Sequence, residues 1–283
     1  MRVAALQYCA SADAQSTLEH IKPMITSAAA DGARLICLPE AADLIAKSRE
    51  ALAQQADWED ECKTLEIVSN LAKSLNVWIL VGSLFVRRRT DEKLVNRGYL
   101  VNPYGAVTAH YDKIHMFDAD VGDGQSYRES DSFEAGDKAL VTTVDNLKLG
   151  LSICYDVRFP HLYRFLANNG AGIITVPSAF TFKSGRAHWH VLLRARAIET
   201  GCFIIAPAQC GTHADGRRTY GHALIISPWG DILAEAKTDD DAADSGANDD
   251  VIITDLEMGL VNSARHSIPS LMNDRPFALK AQD

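Results

Sequence analysis

The 283 residues are 47% hydrophobic and 23% charged, enough apolar side chain for a large core in one big domain or two smaller ones. The formal net charge is -9 and no basic stripe runs through the chain, which argues against a nucleic-acid backbone as partner. No apolar stretch approaches membrane-spanning length, and the apolar opening from Met1 to Leu6 is too short for a signal sequence. The expectation is a cytoplasmic protein with no membrane contact.

Short apolar runs alternate with amphipathic stretches, the pattern of an α/β fold. Val3 to Gln7 reads as the first strand. A helix follows from about Asp13 to Asp31 with Leu18, Ile21, Ile25 and Ala28 on one face; Pro23 is expected to disturb it, and Gly32 to stop it. Arg34 to Leu38 is a buried strand ending at Pro39-Glu40. A helix over about Asp57 to Asn76 leads to a strand from Val77 to Val86. Arg87, Arg88 and Arg89, followed at once by Asp91 and Glu92, suit a hairpin tip or loop. Tyr99 to Asn102 and Ala106 to Tyr111 form a hairpin around Pro103 and Gly105. Further strands fit Leu140 to Val144, Leu147 to Ile153, Gly172 to Val176, Cys202 to Ala208, His222 to Ser227, Asp231 to Glu235 and Val251 to Asp255. Helices fit about Phe159 to Asn169 and Arg186 to Thr200.

The stretches Gly32 to Pro39 and Gly170 to Pro177 echo one another: Gly-Ala, apolar strand, terminal Pro. One echo at so long a period suggests two similar half-units, each of strands covered by helices. Two such sheets face to face give four layers. No linker composition divides them, so the chain reads as one domain over 1–283. Asp239, Asp240, Asp241, Asp244, Asp249 and Asp250 share a polar stretch that suits a solvated loop. The six cysteines show no CxxC spacing, so neither a zinc finger nor a thioredoxin motif is present.

Four positions carry possible chemistry. Cys154 ends an apolar strand that Tyr155 to Pro160 breaks abruptly, where sheet enzymes place reactive groups; a cysteine in an apolar strand is otherwise inert packing. Glu40 holds the equivalent place in the first half-unit. It is either a helix cap or a carboxylate in a partly dry site, whose pKa burial would raise toward acid/base use. Lys113 is flanked by Ile114 and Met116 and either snorkels from a surface strand or supplies a fixed positive charge. Glu129 alone is indistinguishable from a surface residue.

Taken together, Leu38-Pro39-Glu40, Tyr111-Asp112-Lys113-Ile114-His115, Tyr127-Arg128-Glu129-Ser130 and Cys154-Tyr155-Asp156-Val157-Arg158-Phe159-Pro160 resemble the nitrilase superfamily of carbon–nitrogen hydrolases. The similarity extends over nearly the whole chain. It implies a four-layer αββα sandwich of two pseudo-symmetric half-units. It also implies Glu40, Lys113 and Cys154 as the catalytic set, with Glu129 supporting. A homodimer or larger homo-oligomer, with the C-terminal tail (about 256–283) at the subunit interface, is implied as well. Tyr155-Asp156 after the cysteine is similar to the amidase branches, since true nitrilases usually carry Trp-Glu there. The full set resembles the Nit branch, which includes deaminated glutathione amidase and omega-amidase; His190 departs from the acidic residue usual at its position.

The resemblance implies a small amide substrate carrying a carboxylate, and neither cofactor nor metal. Arg158 is a candidate partner for that carboxylate, or else for Asp156 in the same turn. Tyr155, Phe180 and Thr181 are candidate pocket walls. Three rivals are weaker. His188 and His190 form an HxH pair, but on a helix they diverge by about 200° and would not share a metal. A non-catalytic binding protein predicts a missing catalytic residue, and none is missing. A redox sensor needs a resolving cysteine beside Cys154.

Overall fold

The computed structural model describes residues 1–237 and 248–280. In the first sheet, Arg2–Tyr8 pairs in parallel with Leu35–Cys37 on one side. On the other it meets Ala208–Thr212 in parallel and Asp250–Asp255 antiparallel. Leu35–Cys37 passes the sheet on to Trp78–Arg87, Leu94–Val101 and Val107–Asp112, the last two joined antiparallel. The second sheet runs in spatial order Ile232–Glu235, Leu224–Ile226, Phe203–Ala206, Ile173–Thr175, Leu147–Leu151, Leu140–Val144.

Side chains alternate faces along a strand, so each strand of the first sheet feeds two cores. Val3, Ala5, Leu35, Cys37, Leu80 and Leu100 join the second sheet's Leu149, Leu151 and Ile205. Their neighbours Ala4, Leu6, Ile36, Leu38, Ile79 and Val81 pack instead with Ile21 and Ile25 of helix Ala14–Ala30 and Val68 of helix Lys63–Leu75. Leu162 and Leu166 of Pro160–Asn168, with Trp189 and Leu193 of Phe182–Thr200, cover the second sheet. The layers are therefore helix, sheet, sheet, helix, the αββα sandwich.

Departures from the sequence reading have local causes. The run Cys202 to Ala208 is two strands in different sheets, because Pro207 lacks the N–H that would continue one ladder. The helix expected from Asp57 starts at Lys63, whose N–H is taken by the Asp57 carboxylate at 3.0 Å. Arg49–Gln55, capped by Ser48, is a helix the sequence reading did not contain. Pro23 leaves Ala14–Ala30 unbroken; Pro23 and Glu19 are exposed, so water reaches the carbonyl that the proline leaves free. The arginine run does sit at a hairpin tip, where Arg88 pairs with Asp91, and Arg89 pairs with Asp60 at 2.7 Å while lying over Trp58. Of the acidic stretch, Asp239, Asp240, Asp241 and Asp244 lie outside the described residues. Asp249 meets His20 at 2.5 Å, and Asp250 opens a strand.

The two echoing segments place one strand in each sheet, Leu35–Cys37 and Ile173–Thr175, and their terminal prolines meet at Gly82. A Cβ there would lie 2.1 Å from Leu38 O, 2.4 Å from Pro39 O and 2.5 Å from Pro177 Cβ. Gly82→Ala is expected to lower stability by about 1–3 kcal/mol through overpacking against backbone. An unchanged denaturant midpoint would contradict this packing.

Candidate active site

Cys154 stands three residues beyond strand Leu147–Leu151, at the head of a tight turn Cys154–Arg158 that Pro160 converts into a helix. Its φ of +47° is a left-handed conformation unusual for a residue with a side chain. Two bonds hold it there. The Cys154 N–H donates to Pro177 O at 2.9 Å, and the Ile153 N–H donates to the Asp156 carboxylate at 2.8 Å.

Glu40 follows Leu38, whose N–H donates to Leu80 O. Behind it, Gln209 Nε2 donates to the carbonyls of Glu40 and Ala41 at 3.1 and 3.0 Å. Lys113 directly follows strand Val107–Asp112, and its N–H donates to Asn96 O. Glu129 begins a turn that the small ladder between Asp118–Ala119 and Tyr127–Arg128 carries inward. Strand ends thus fix three of the four groups and a braced loop the fourth.

Their side chains converge. Lys113 Nζ lies 2.8 Å from Glu40 Oε1, and 3.0 and 2.8 Å from the two Glu129 oxygens. Asn96 Nδ2 donates to both carboxylates at 3.0 Å each. The other Glu40 oxygen accepts the Ala179 N–H at 2.9 Å, and Glu129 Oε2 accepts the Phe117 N–H at 2.6 Å. The Cys154 thiol and the Glu40 carboxylate lie close enough to shift each other's ionisation.

Burial and charge set the protonation states. Burial works to raise the Glu40 carboxyl, but the Lys113 charge and the surrounding donors outweigh it, and the group is held below its ordinary value. The sequence expectation of a raised Glu40 is therefore corrected, because the ammonium and N–H donors favour the charged form. Burial would lower Lys113, yet the charges of Glu129 and Glu40 push it up. Cys154 is pushed far above the ordinary thiol, first by burial and then by the Glu40 charge. At neutral pH the resting site holds a neutral thiol beside an ionised carboxylate.

Glu40, Lys113, Glu129 and Cys154 all line one cavity of about 310 Å³. That is the lower end of the range for small-molecule sites. A thiol, a proton acceptor beside it and a fixed cation suit attack on a polarised carbonyl.

A family model described as carbon-nitrogen hydrolase matches residues 2–266. The chain belongs to this family. It is 39% identical over 273 residues to a protein from Synechocystis named deaminated glutathione amidase, covering 95% of this chain and 96% of that one. The NitFhit protein of Caenorhabditis elegans superposes with a TM-score of 0.86 at 31% identity, over 97% of this chain and 65% of that longer one. Saccharomyces cerevisiae Nit3, described as a member of branch 10 of the nitrilase superfamily, gives 0.82 at 25% identity over 95% and 94%. The chain is thus an enzyme of carbon–nitrogen bonds other than peptide bonds.

In this carbon–nitrogen hydrolase, Tyr155, Phe180 and Thr181 line the cavity. Arg158 is not among the lining residues. Its Nη1 meets His188 Nδ1 at 3.2 Å, and its guanidinium lies over the rings of Tyr155 and Phe180. Among the described residues it does not pair with Asp156, one of the two partners considered for it. Asp156 is wholly buried and spent elsewhere: it accepts from Tyr111 OH at 2.8 Å, from Ile153 N, and from His115 N and Nδ1 at 3.1 and 2.6 Å. It therefore clamps the Cys154 turn to residues on both sides of Lys113. Asp156→Asn swaps one acceptor for a donor facing these donors. It is expected to lower kcat/KM about 10- to 100-fold and stability by about 1–3 kcal/mol. Unchanged kinetics and melting would contradict the clamp.

The sequence reading missed Asn96, which no motif singled out, and undervalued Asp156, though it stands two residues from Cys154. The diverging HxH pair is as expected, with His188 on Arg158 and His190 Nε2 on Glu235 Oε1 at 2.9 Å. Among the described residues, one group brings three candidate metal ligands within 4.8 Å of one another: His190, His222 and Glu235. Glu235 Oε1 also accepts from His222 Nδ1 at 2.7 Å, and none of the three lines the cavity.

Proposed function

We propose that this enzyme hydrolyses small carboxylate-bearing amides of the deaminated-glutathione type through a thioester on Cys154. The observation that supports it best is Lys113 Nζ bridging Glu40 and Glu129 at 2.8 Å each, in the cavity that Cys154 lines. As the sulfur attacks the carbonyl, Glu40 takes the thiol proton. Lys113 and the Tyr155 backbone N–H hold the oxyanion, a donor of this kind contributing about 3–4 kcal/mol. Glu40 then protonates the leaving amine, and a thioester remains. Water deprotonated by Glu40 cleaves it, so one carboxyl serves as base, acid and base again. Glu129, fixed by Phe117 N and Asn96, positions Lys113.

The similarity to the Synechocystis protein supports the substrate class. The test compares deaminated glutathione, α-ketoglutaramate and a carbamoyl amino acid as substrates for wild type and Glu40→Gln. The expected result is a preference for the first, with Glu40→Gln slowed about 10²- to 10⁴-fold. Full turnover by Glu40→Gln would remove its role, and a preference for α-ketoglutaramate would favour the omega-amidase reading.

The direction of the Glu40 shift gives a pH prediction. The reactive form has Glu40 ionised and the thiol neutral. With Glu40 lowered and Cys154 raised, kcat/KM is expected to be level from about pH 5 to about pH 9 as far as these groups are concerned. An acid limb near neutrality that moves on Glu40→Asp would contradict it.

The chain assembles, in this proposal, as a homodimer or larger, with the tail at about 256–283 in the interface. Met272, Phe277 and Leu279 are 85%, 96% and 97% exposed in the single chain, more apolar surface than a tail usually leaves to water. All six cysteines are free, which fits a reducing cytoplasm.

A further inference from the structure

The carboxylate expected on the substrate needs a cation, and the cavity wall presents four: Arg49, Lys113, Arg128 and Arg217. Three are already matched. Lys113 lies between Glu40 and Glu129. Arg49 pairs with Asp131 at 2.9 Å and donates to Arg128 O. Arg128 pairs with Asp120 at 2.7 Å and donates to Tyr127 O. Arg217 differs. Its ion pair with Asp215 is loose, 3.6 Å from Nε and outside hydrogen-bond reach, so Nε is left without a hydrogen-bond partner among the described residues. The side chain lines the cavity and is 22% exposed, so a guanidinium held by one loose ion pair keeps N–H donors for a group that enters there.

The position of Arg217 is built rather than accidental. It lies in the turn between strands Ala208–Thr212 and Arg218–Tyr220, closed by His213 N donating to Arg217 O at 2.9 Å and by the Arg217 N–H donating to Asp215 Oδ1 at 2.9 Å. Gly216 supplies the turn's positive φ of +81°. His213 beneath it is buried and bonded to Thr219 at 2.8 Å. The first strand of this hairpin is paired in the central sheet, so the guanidinium is carried on a fixed support.

We infer that Arg217 forms a carboxylate-binding subsite, holding the substrate's acid group remote from the carbonyl that Cys154 attacks. A guanidinium offers two parallel N–H donors to a carboxylate, which gives orientation as well as affinity. Arg217 lines the cavity, whereas Arg158 contacts His188. The inference rests on the proposed preference for acidic amides.

The experiment measures steady-state kinetics of wild type, Arg217→Lys and Arg217→Gln on α-ketoglutaramate or deaminated glutathione and on a neutral amide of similar size such as butyramide. Arg217→Gln is expected to raise KM for the acidic amide about 10- to 150-fold, with kcat within about threefold and the neutral amide unaffected. Arg217→Lys, which keeps the charge and loses the fork, should fall between. The neutral amide reports in the same preparation that the variant is folded. If wild type shows no preference for the acidic amide, the substrate reading fails and the subsite with it. If the preference exists and survives Arg217→Gln, the substrate reading stands and Arg217 is not its anchor. Equal losses on both amides also overturn the subsite, since they mark a structural role.

Discussion

Cys154→Ala is expected to lose about 10⁴-fold or more of amide turnover while keeping its fold. Removing a nucleophile leaves only binding and oxyanion stabilisation, and such deletions reach about 10⁶ in other hydrolases. Stability should change little, because a thiol-to-methyl change is small and the Cys154 main chain keeps its bond to Pro177. The left-handed φ of +47° disfavours alanine no less than cysteine, so neither residue relaxes the turn. Ammonia release and the thermal midpoint, measured on one preparation, check both halves. A variant that retains wild-type release would transfer the nucleophile to another group.

Lys113→Met carries the second large effect, and it falls on stability as well as rate. Lys113 is 2% exposed and is the cation that both Glu40 and Glu129 contact. Breaking a buried pair from one side costs about 3–5 kcal/mol, because the carboxylates remain. The rate is expected to fall about 10²- to 10³-fold or more with the oxyanion donor gone. Burial would raise Glu40, but Lys113 and the surrounding donors hold it low; without the Lys113 charge burial prevails, and the Glu40 carboxyl rises. A group whose folded pKa is raised binds more protons folded than unfolded, so the deficit in stability should shrink as pH falls. Lys113→Met combined with Glu129→Gln removes one of the two stranded charges. It should regain part of the stability and none of the activity. A deficit independent of pH, or activity restored in the double variant, would contradict the electrostatic account.

Sequence reasoning went furthest where one residue type has one physical consequence. The short apolar runs at Val3 to Gln7 and Arg34 to Leu38 are strands, and their neighbouring side chains enter different cores. The strand stop at Cys154 and the Pro39-Glu40 end were visible as abrupt changes of polarity. What was hidden depended on through-space partners. Periodicity could not split Cys202 to Ala208, because apolar residues continue on both sides of Pro207 while the chain changes sheets. The direction of the Glu40 shift was misjudged because burial can be guessed from an apolar strand. The opposing ammonium, 73 positions away and 2.8 Å distant, cannot. Asn96 carries no signal of its own within Leu94–Val101; its role appears only when two carboxylates fold against it. The contact of Arg158 with His188, 30 positions away, was hidden for the same reason.

The most direct test is acid-quenched intact-mass analysis of wild type during turnover of deaminated glutathione, followed by peptide mapping. The account predicts a transient mass increase equal to the acyl portion of the substrate, localised to the peptide carrying Cys154 and removed by hydroxylamine. Turnover that proceeds with no adduct under saturating substrate and rapid quench, or an adduct on a different residue, would contradict it.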